Sequence, residues 1–338
     1  MRTGKQHYPR RAAGGQAAAA TRRRGRRAQV LGELTPRGPL HFARVLRYQL
    51  RGAREPVDRE FRGCYRRVLA LPDGPALVEV RPDHPARTLR LEVRALNRRL
   101  GPDEAAAACE QVSRIYSLDF DARAFHRAAR AEPPLAAVAM RFCGLRVAGV
   151  PEPFECVVWS ILGQQISLAV AIALKQRLVE AYAEFVERDG ERYPAFPSAA
   201  RLADAGEPAL GKLGLSRPKA RYVSGLAREV ASGRLDLHAL RALPPEGLHA
   251  RLRELEGVGP WTASYVALRA YGDADALPLA DVGLERAATQ AYSAPERLRG
   301  AALARVAERW RPYRGWATFY LWYSLMYGRE RAVPRGSA

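Results

Sequence analysis

The sequence predicts an α+β protein in which a small strand-rich N-terminal domain precedes an all-helical domain built around a helix-hairpin-helix. Three observations carry that prediction. Turns at Pro72-Asp73-Gly74-Pro75 and Pro82-Asp83-His84-Pro85 punctuate short β-branched stretches. After Phe154 the apolar residues recur at helical spacing between Ser and Gly caps. The run Leu255-Glu256-Gly257-Val258-Gly259-Pro260-Trp261-Thr262 joins two helical stretches through a Gly-Val-Gly turn. At 338 residues and 48% apolar composition, the chain can bury two domains' worth of core. The expected division is a basic tail over 1–36, disordered, an α+β domain over 37–150 and the helical domain over 151–330.

Taken in order, residues 42–48, 63–70, 76–80 and 88–93 read as strands. Helical spacing then begins at 102–116 and 122–131. The apolar stretch 157–174 is about as long as a membrane span, but Gly163-Gln164-Gln165 and Ser167 interrupt it, which splits it into two buried helical pieces. Ser167 can cap a helix running to residue 188, and Ser216 one ending at Gly233. Helices over 247–254 and 260–270 flank the hairpin, Gly272 stops the second, and Asp281 stands near the start of the next. A last amphipathic pair covers 297–310 and 316–327, with Trp310 and Trp316 as core residues. No internal repeat is present, which excludes a solenoid.

The formal net charge is +20. Nine Lys/Arg and no acid precede Leu31, and taking those nine away leaves +11 on the rest of the chain. Such a surplus points to a polyanionic partner. The 51 Arg against 4 Lys also fit a compositional bias toward Arg codons. The N-terminal segment has no apolar h-region, so it is no secretory signal; a basic arm, a misassigned start or a transit peptide remain as readings. Cys64, Cys109, Cys143 and Cys156 lack C-x-x-C spacing, which supports neither a zinc site nor a disulfide framework and implies a reducing compartment.

Gly257 and Gly259 admit positive φ and close backbone approach, and Pro260 suits the first turn of a helix, where its missing N–H is not needed. The unpaired amides of Gly257, Gly259 and Thr262 make an anion site of the kind that binds phosphate. Asp281 lies 22 residues beyond Gly259 in an apolar neighbourhood, Leu277-Pro278-Leu279-Ala280 before it and Val282-Gly283-Leu284 after it. It reads either as a helix N-cap or as a carboxylate set beside developing positive charge, as at the anomeric carbon of a sugar losing its aglycone. Arg217, Lys219 and Arg221, at the start of one helix, are either phosphate contacts or a solvated charged face.

The hairpin followed by an Asp is the signature of the helix-hairpin-helix, Gly/Pro-rich loop and Asp DNA glycosylase superfamily. Over residues 38–327 the chain resembles its bacterial 3-methyladenine DNA glycosylase II family. The strings that carry the likeness are Pro153-Phe154-Glu155, Ile161-Leu162-Gly163-Gln164-Gln165-Ile166-Ser167 and Leu213-Gly214-Leu215-Ser216-Arg217-Pro218-Lys219-Ala220, then the hairpin, Asp281 and residues 310–323. The resemblance implies that Asp281 is catalytic, stabilising an oxocarbenium-like deoxyribose, and that a damaged base flipped out of duplex DNA enters an aromatic pocket of Trp261, Tyr265 and Trp322.

Trp261 stands where strand-cutting relatives carry a Schiff-base lysine, so the implied activity is monofunctional. No cysteine follows Cys156, which argues against the iron-sulfur cluster of endonuclease III-type relatives. Gln165 takes the family's wedge position, where it either fills the gap left by the flipped nucleotide or hydrogen-bonds the orphaned base. Gln164 reads as a buried cap for the helix break. The carbonyls of Leu255 and Val258 are the implied ligands of a monovalent cation, and no other cofactor is expected. The implied partner is damaged duplex DNA and not a membrane, met by a monomer in the bacterial cytoplasm at the nucleoid. Two alternatives stand beside this reading: preference for deaminated purines such as hypoxanthine, and a non-enzymatic DNA-binding module.

Overall fold

The computed structural model describes residues 28–51 and 55–328. Five strands, β1 (Gln29–Leu34), β2 (Arg59–Phe61), β3 (Cys64–Leu69), β4 (Ala76–Pro82) and β5 (Leu91–Ala95), form an antiparallel sheet of order β1-β5-β4-β3-β2. Helix α1 (Phe42–Leu50) separates the first two strands.

That helix corrects the strand expected over 42–48. Of its five buried positions, Phe42, Val45, Leu46 and Gln49 follow the spacing that a helix places on one face, with Tyr48 beside them. Residues 29–34, expected in the disordered basic tail, are ordered as the edge strand β1, paired with β5 from Gln29↔Ala95 to Leu34↔Leu91. Residues 1–27 lie outside the described residues.

The expected helices α2 (Pro102–Tyr116) and α3 (Ala122–Ala129) follow, with α4 (Pro133–Arg141), which the sequence reading did not include. The helical domain then begins with α5 (Pro153–Gly163), whose residues from Glu155 to Leu162 are all buried, so it serves as the central helix. Ser167 caps α6 (Leu168–Tyr182) by accepting the Val170 amide. This helix stops six residues before the expected end at residue 188, because Phe185–Arg188 (β6) and Glu191–Pro194 (β7) form a hairpin. Its turn is Asp189-Gly190, both residues at positive φ (55° and 81°), a pairing suited to a two-residue hairpin loop.

Helices α7 (Ala199–Lys212, broken at Gly206), α8 (Arg217–Ala231) and α9 (Pro245–Arg253) lead to the Gly-Val-Gly hairpin. Helix α10 (Pro260–Val266) continues as a π turn over Ala267–Tyr271, ended by Gly272 at φ 77°. Helices α11 (Val282–Ala291), α12 (Gly300–Glu308) and α13 (Arg314–Tyr327) complete the domain. One apolar core runs through both domains, from Phe42 and Val78 to Val157, Val266 and Phe319. Among the described residues no helix is long and apolar enough to cross a membrane.

Candidate active site

The hairpin is shaped by close backbone approach. Gly257 has φ 81°, and a Cβ there would lie 2.3 Å from the Tyr222 ring, so only glycine fits. Gly259 precedes α10 in extended conformation with Pro260 in its first turn. Gln164, at the end of α5, donates from Nε2 to the Gly257 carbonyl (2.8 Å) and to the Thr262 hydroxyl (3.0 Å). It takes its expected place at the helix break, which it fastens to the hairpin. Leu255 O accepts the Val258 amide at 3.0 Å, which keeps both candidate cation carbonyls in the same turn.

Lys219 takes neither of its expected roles, phosphate contact or solvated face. Its buried ammonium donates to the Leu162 and Gln164 carbonyls at 2.7 and 2.8 Å, closing the C-terminus of α5, and burial lowers its pKa. A side chain that satisfies two helix carbonyls has turned away from solvent. Arg217 is exposed beside it, and Arg221 pairs with Glu256 of the hairpin at 2.9 Å. Gln165 is exposed at φ 57°, at the tip of the α5–α6 loop, with exposed Ile166, Leu168 and Val170 following it.

Of the two readings of Asp281, the N-cap is the one the structure shows, Oδ1 accepting the Leu284 amide at 2.6 Å at the start of α11. The same carboxylate accepts the indole N–H of Trp322 on Oδ1 (2.8 Å) and that of Trp261 on Oδ2 (2.9 Å). Three donors from three elements therefore fix its plane while the residue remains half-exposed. Gly283 makes room for this: a Cβ there would stand 3.0 Å from Asp281 Oδ1 and 3.6 Å from the Trp322 ring.

The expected aromatic set does assemble here. Trp261 and Tyr265, one helical turn apart, stack with centroids 5.4 Å apart and planes 19° apart, and Trp322 lies 6.0 Å from Tyr265 at a tilt. Trp310 and Trp316 are core, the first bonded to Tyr292 and the second stacked on Phe120. Behind Tyr265 stands a layer the sequence did not disclose. Its hydroxyl accepts from Trp159 Nε1 (2.9 Å) and from Arg269 Nη1 (3.0 Å), and Tyr48 lies against the same guanidinium. Trp159 sits inside an apolar run and Tyr48 on the mispredicted helix, so no local pattern marked either.

Comparison with known proteins places this arrangement. The family model of HhH-GPD superfamily base excision DNA repair proteins matches residues 158–312, and that of the AlkA N-terminal domain matches residues 32–152. DNA-3-methyladenine glycosylase 2 of Escherichia coli is 30% identical over 296 residues, which cover 85% of this chain and 94% of that protein. The chain belongs to the HhH-GPD superfamily.

This HhH-GPD protein is also 35% identical over 210 residues to the DNA-3-methyladenine glycosylase of Bacillus subtilis, covering 62% of this chain and 69% of that one. The solved 3-methyladenine DNA glycosylase from Archaeoglobus fulgidus shares the fold, with a TM-score of 0.77 at 23% identity over 88% of this chain and 99% of that one. Both domain types therefore have counterparts in the family, the strand-rich domain included. The cysteines of this HhH-GPD protein, Cys64, Cys109, Cys143 and Cys156, are free thiols.

Proposed function

We propose that this HhH-GPD protein is a monofunctional DNA glycosylase that flips alkylated bases, 3-methyladenine and 7-methylguanine among them, out of duplex DNA and hydrolyses their N-glycosidic bonds. The carboxylate of Asp281, held by two indole N–H groups and a helix amide beside the hairpin, is the observation that carries this reading. As the bond from C1′ to the base breaks, the electron pair leaves with the base and the sugar gains oxocarbenium character, which a fixed carboxylate stabilises. Water then adds at C1′ as hydroxide, its remaining proton passing to solvent or to the departing base. A 3-alkylated purine is cationic in the ground state and leaves as a neutral molecule, so one carboxylate suffices.

Trp261, Tyr265 and Trp322 form the proposed base pocket. An electron-rich indole face attracts a cationic base by about 0.5–2 kcal/mol. The amides of Gly257, Gly259 and Thr262 are the proposed phosphate contacts, with Arg217 at the rim and Gln165 entering the gap left by the flipped nucleotide. The carbonyls of Leu255 and Val258 are neutral oxygen donors of the type a monovalent cation takes, and we assign them that role. No redox or iron-sulfur group enters this chemistry. One copy carries every residue named, so a monomer suffices, working in the cytoplasm where the chromosome is.

Trp261 bears no amine, so no Schiff base forms at C1′. The test is incubation with methylated duplex DNA followed by chromatography of the released bases and a gel of the strands. Expected are free 3-methyladenine and 7-methylguanine, strands that break only after alkali, and no borohydride-trapped adduct. Strand cleavage without alkali together with a trapped adduct would overturn the monofunctional assignment, and DNA binding without base release would favour a non-enzymatic clamp.

A further inference from the structure

Helix α11 leaves Asp281 with one face packed and the other bare. Leu284, Ala287 and Ala288 are buried in the core, whereas Val282, Arg286 and Gln290, spaced four residues apart on one face, are exposed. Val282 is 60% exposed although it directly follows the carboxylate. Each Cα–Cβ bond of a helix tilts toward the helix N-terminus, so the Arg286 stem is directed back over the first turn, where Val282 and Asp281 stand. Four residues of helix rise about 6 Å, a span that an extended arginine covers. Among the described residues Arg286 has no hydrogen-bond or ion-pair partner, and the acid beside it in sequence, Glu285, is taken by Arg297 at 2.9 Å. Arg286 is thus a free cation on the element that carries Asp281.

We propose that Arg286 binds a backbone phosphate flanking the flipped nucleotide, on the side of Asp281 that the hairpin does not serve. The inference rests on the base-excision reading. A flipped nucleotide hangs between two phosphates, one 5′ and one 3′ to its sugar, and its C1′ has to come to the Asp281 carboxylate. The amides of Gly257, Gly259 and Thr262 provide for one of those phosphates. Arg217 and Arg221 belong to α8, which meets the hairpin through Tyr222 and Glu256, so they add charge on that same side. The second phosphate then approaches a carboxylate of its own sign with no amide nest to receive it. Arg286 supplies the missing cation.

A guanidinium suits that place because its planar N–H fork meets two phosphate oxygens at once. The phosphate keeps its charge throughout the reaction, so this contact is equally strong before and during bond breaking. It therefore raises affinity for the flipped state and leaves the chemical step unchanged. Asp281 has the opposite signature, since its partner charge develops only as the bond breaks.

The test measures binding of the wild-type chain, Arg286→Gln and Arg286→Lys to a duplex with a tetrahydrofuran abasic analogue, across a range of salt concentrations. The phosphate 5′ or 3′ to the analogue is replaced in turn by an uncharged methylphosphonate. Arg286→Gln is expected to weaken binding about five- to tenfold and to lower the slope of log K against log salt by about 1, and Arg286→Lys to restore the slope. The methylphosphonate penalty seen with wild type is expected to vanish in Arg286→Gln at one of the two positions and to persist at the other. Single-turnover release of 3-methyladenine from methylated duplex DNA at saturating protein is expected to change less than about threefold. An unchanged slope with both penalties intact overturns the proposal, as does a slower saturated rate with binding unchanged. In either case release by wild type leaves the glycosylase reading standing, whereas a wild-type chain that frees no 3-methyladenine overturns both.

Discussion

At the residue scale the account rests on where Asp281 gets its three hydrogen bonds. Trp261 lies 20 and Trp322 41 positions away along the chain, so neither contact has a local signature. Asp281 stands out by its apolar neighbours, whereas Trp261 and Trp322 are singled out by the family resemblance. The sequence could not disclose that the two indoles act as donors to the acid, since that depends on how α10 and α13 meet α11. Trp261→Phe keeps an aromatic face but removes one donor from Oδ2. Base release is expected to slow roughly tenfold with DNA affinity little changed, measured by single-turnover kinetics and a binding titration. Lys219 marks the opposite outcome, a basic residue at the head of a helix whose charge is spent inside the fold. Nothing in its spacing separates a phosphate contact from a helix cap.

At the element scale, patterns whose periodicity was respected were legible and patterns judged by composition were not. Residues 42–48 read as a strand because they are rich in aromatic and β-branched side chains, yet their buried positions follow a helical period. The β6–β7 hairpin was masked by the helical run before it, although Asp189-Gly190 is a turn signal. The Gly-Val-Gly hairpin was the most legible element, and it yields a sharp expectation. Gly257→Ala forces a Cβ into the Tyr222 ring at positive φ, and the hairpin should lose about 1–3 kcal/mol of stability together with most of its grip on duplex DNA, read by thermal melting and a binding titration.

A second expectation at this scale concerns the ion pair of His238 with Glu152, the residue before α5, at 3.2 Å. The hydrogen bond that His238 donates to Glu152 raises the His238 pKa above its ordinary 6.5. With the folded value above the unfolded one, the pair's full contribution is present below about pH 6.5 and is lost as pH rises through the folded value. The Tm difference between wild type and His238→Gln is therefore expected to be present near about pH 6 and to shrink toward about pH 9. A difference independent of pH would show that the pair contributes nothing through its charge.

At the scale of the whole molecule, the two domains are joined by charge as well as by a common apolar core. Arg67 of β3 bonds Asp58 at 2.8 Å and also the Glu155 carboxylate of α5, while Lys175 of α6 reaches Glu155 (3.1 Å) and Glu55 (2.5 Å). All five side chains are buried. A composition of 55 Lys/Arg against 35 Asp/Glu invites reading charges as surface, and nothing local marks these five as interior. Glu155→Gln leaves Arg67 and Lys175 short of an anion, so unfolding should shift by about 3–5 kcal/mol and remain one cooperative transition in calorimetry. Two separate transitions, with only one displaced, would show that the network does not couple the domains.

In the proposed reaction the Asp281 carboxylate stabilises the sugar as the N-glycosidic bond breaks. Free 3-methyladenine and 7-methylguanine released from methylated duplex DNA by wild type and by Asp281→Asn test it most directly, since asparagine keeps the size and the cap of α11 but removes the charge. Release by Asp281→Asn is expected to fall by about a hundredfold or more with DNA binding retained. Equal release by the two proteins would contradict the claim.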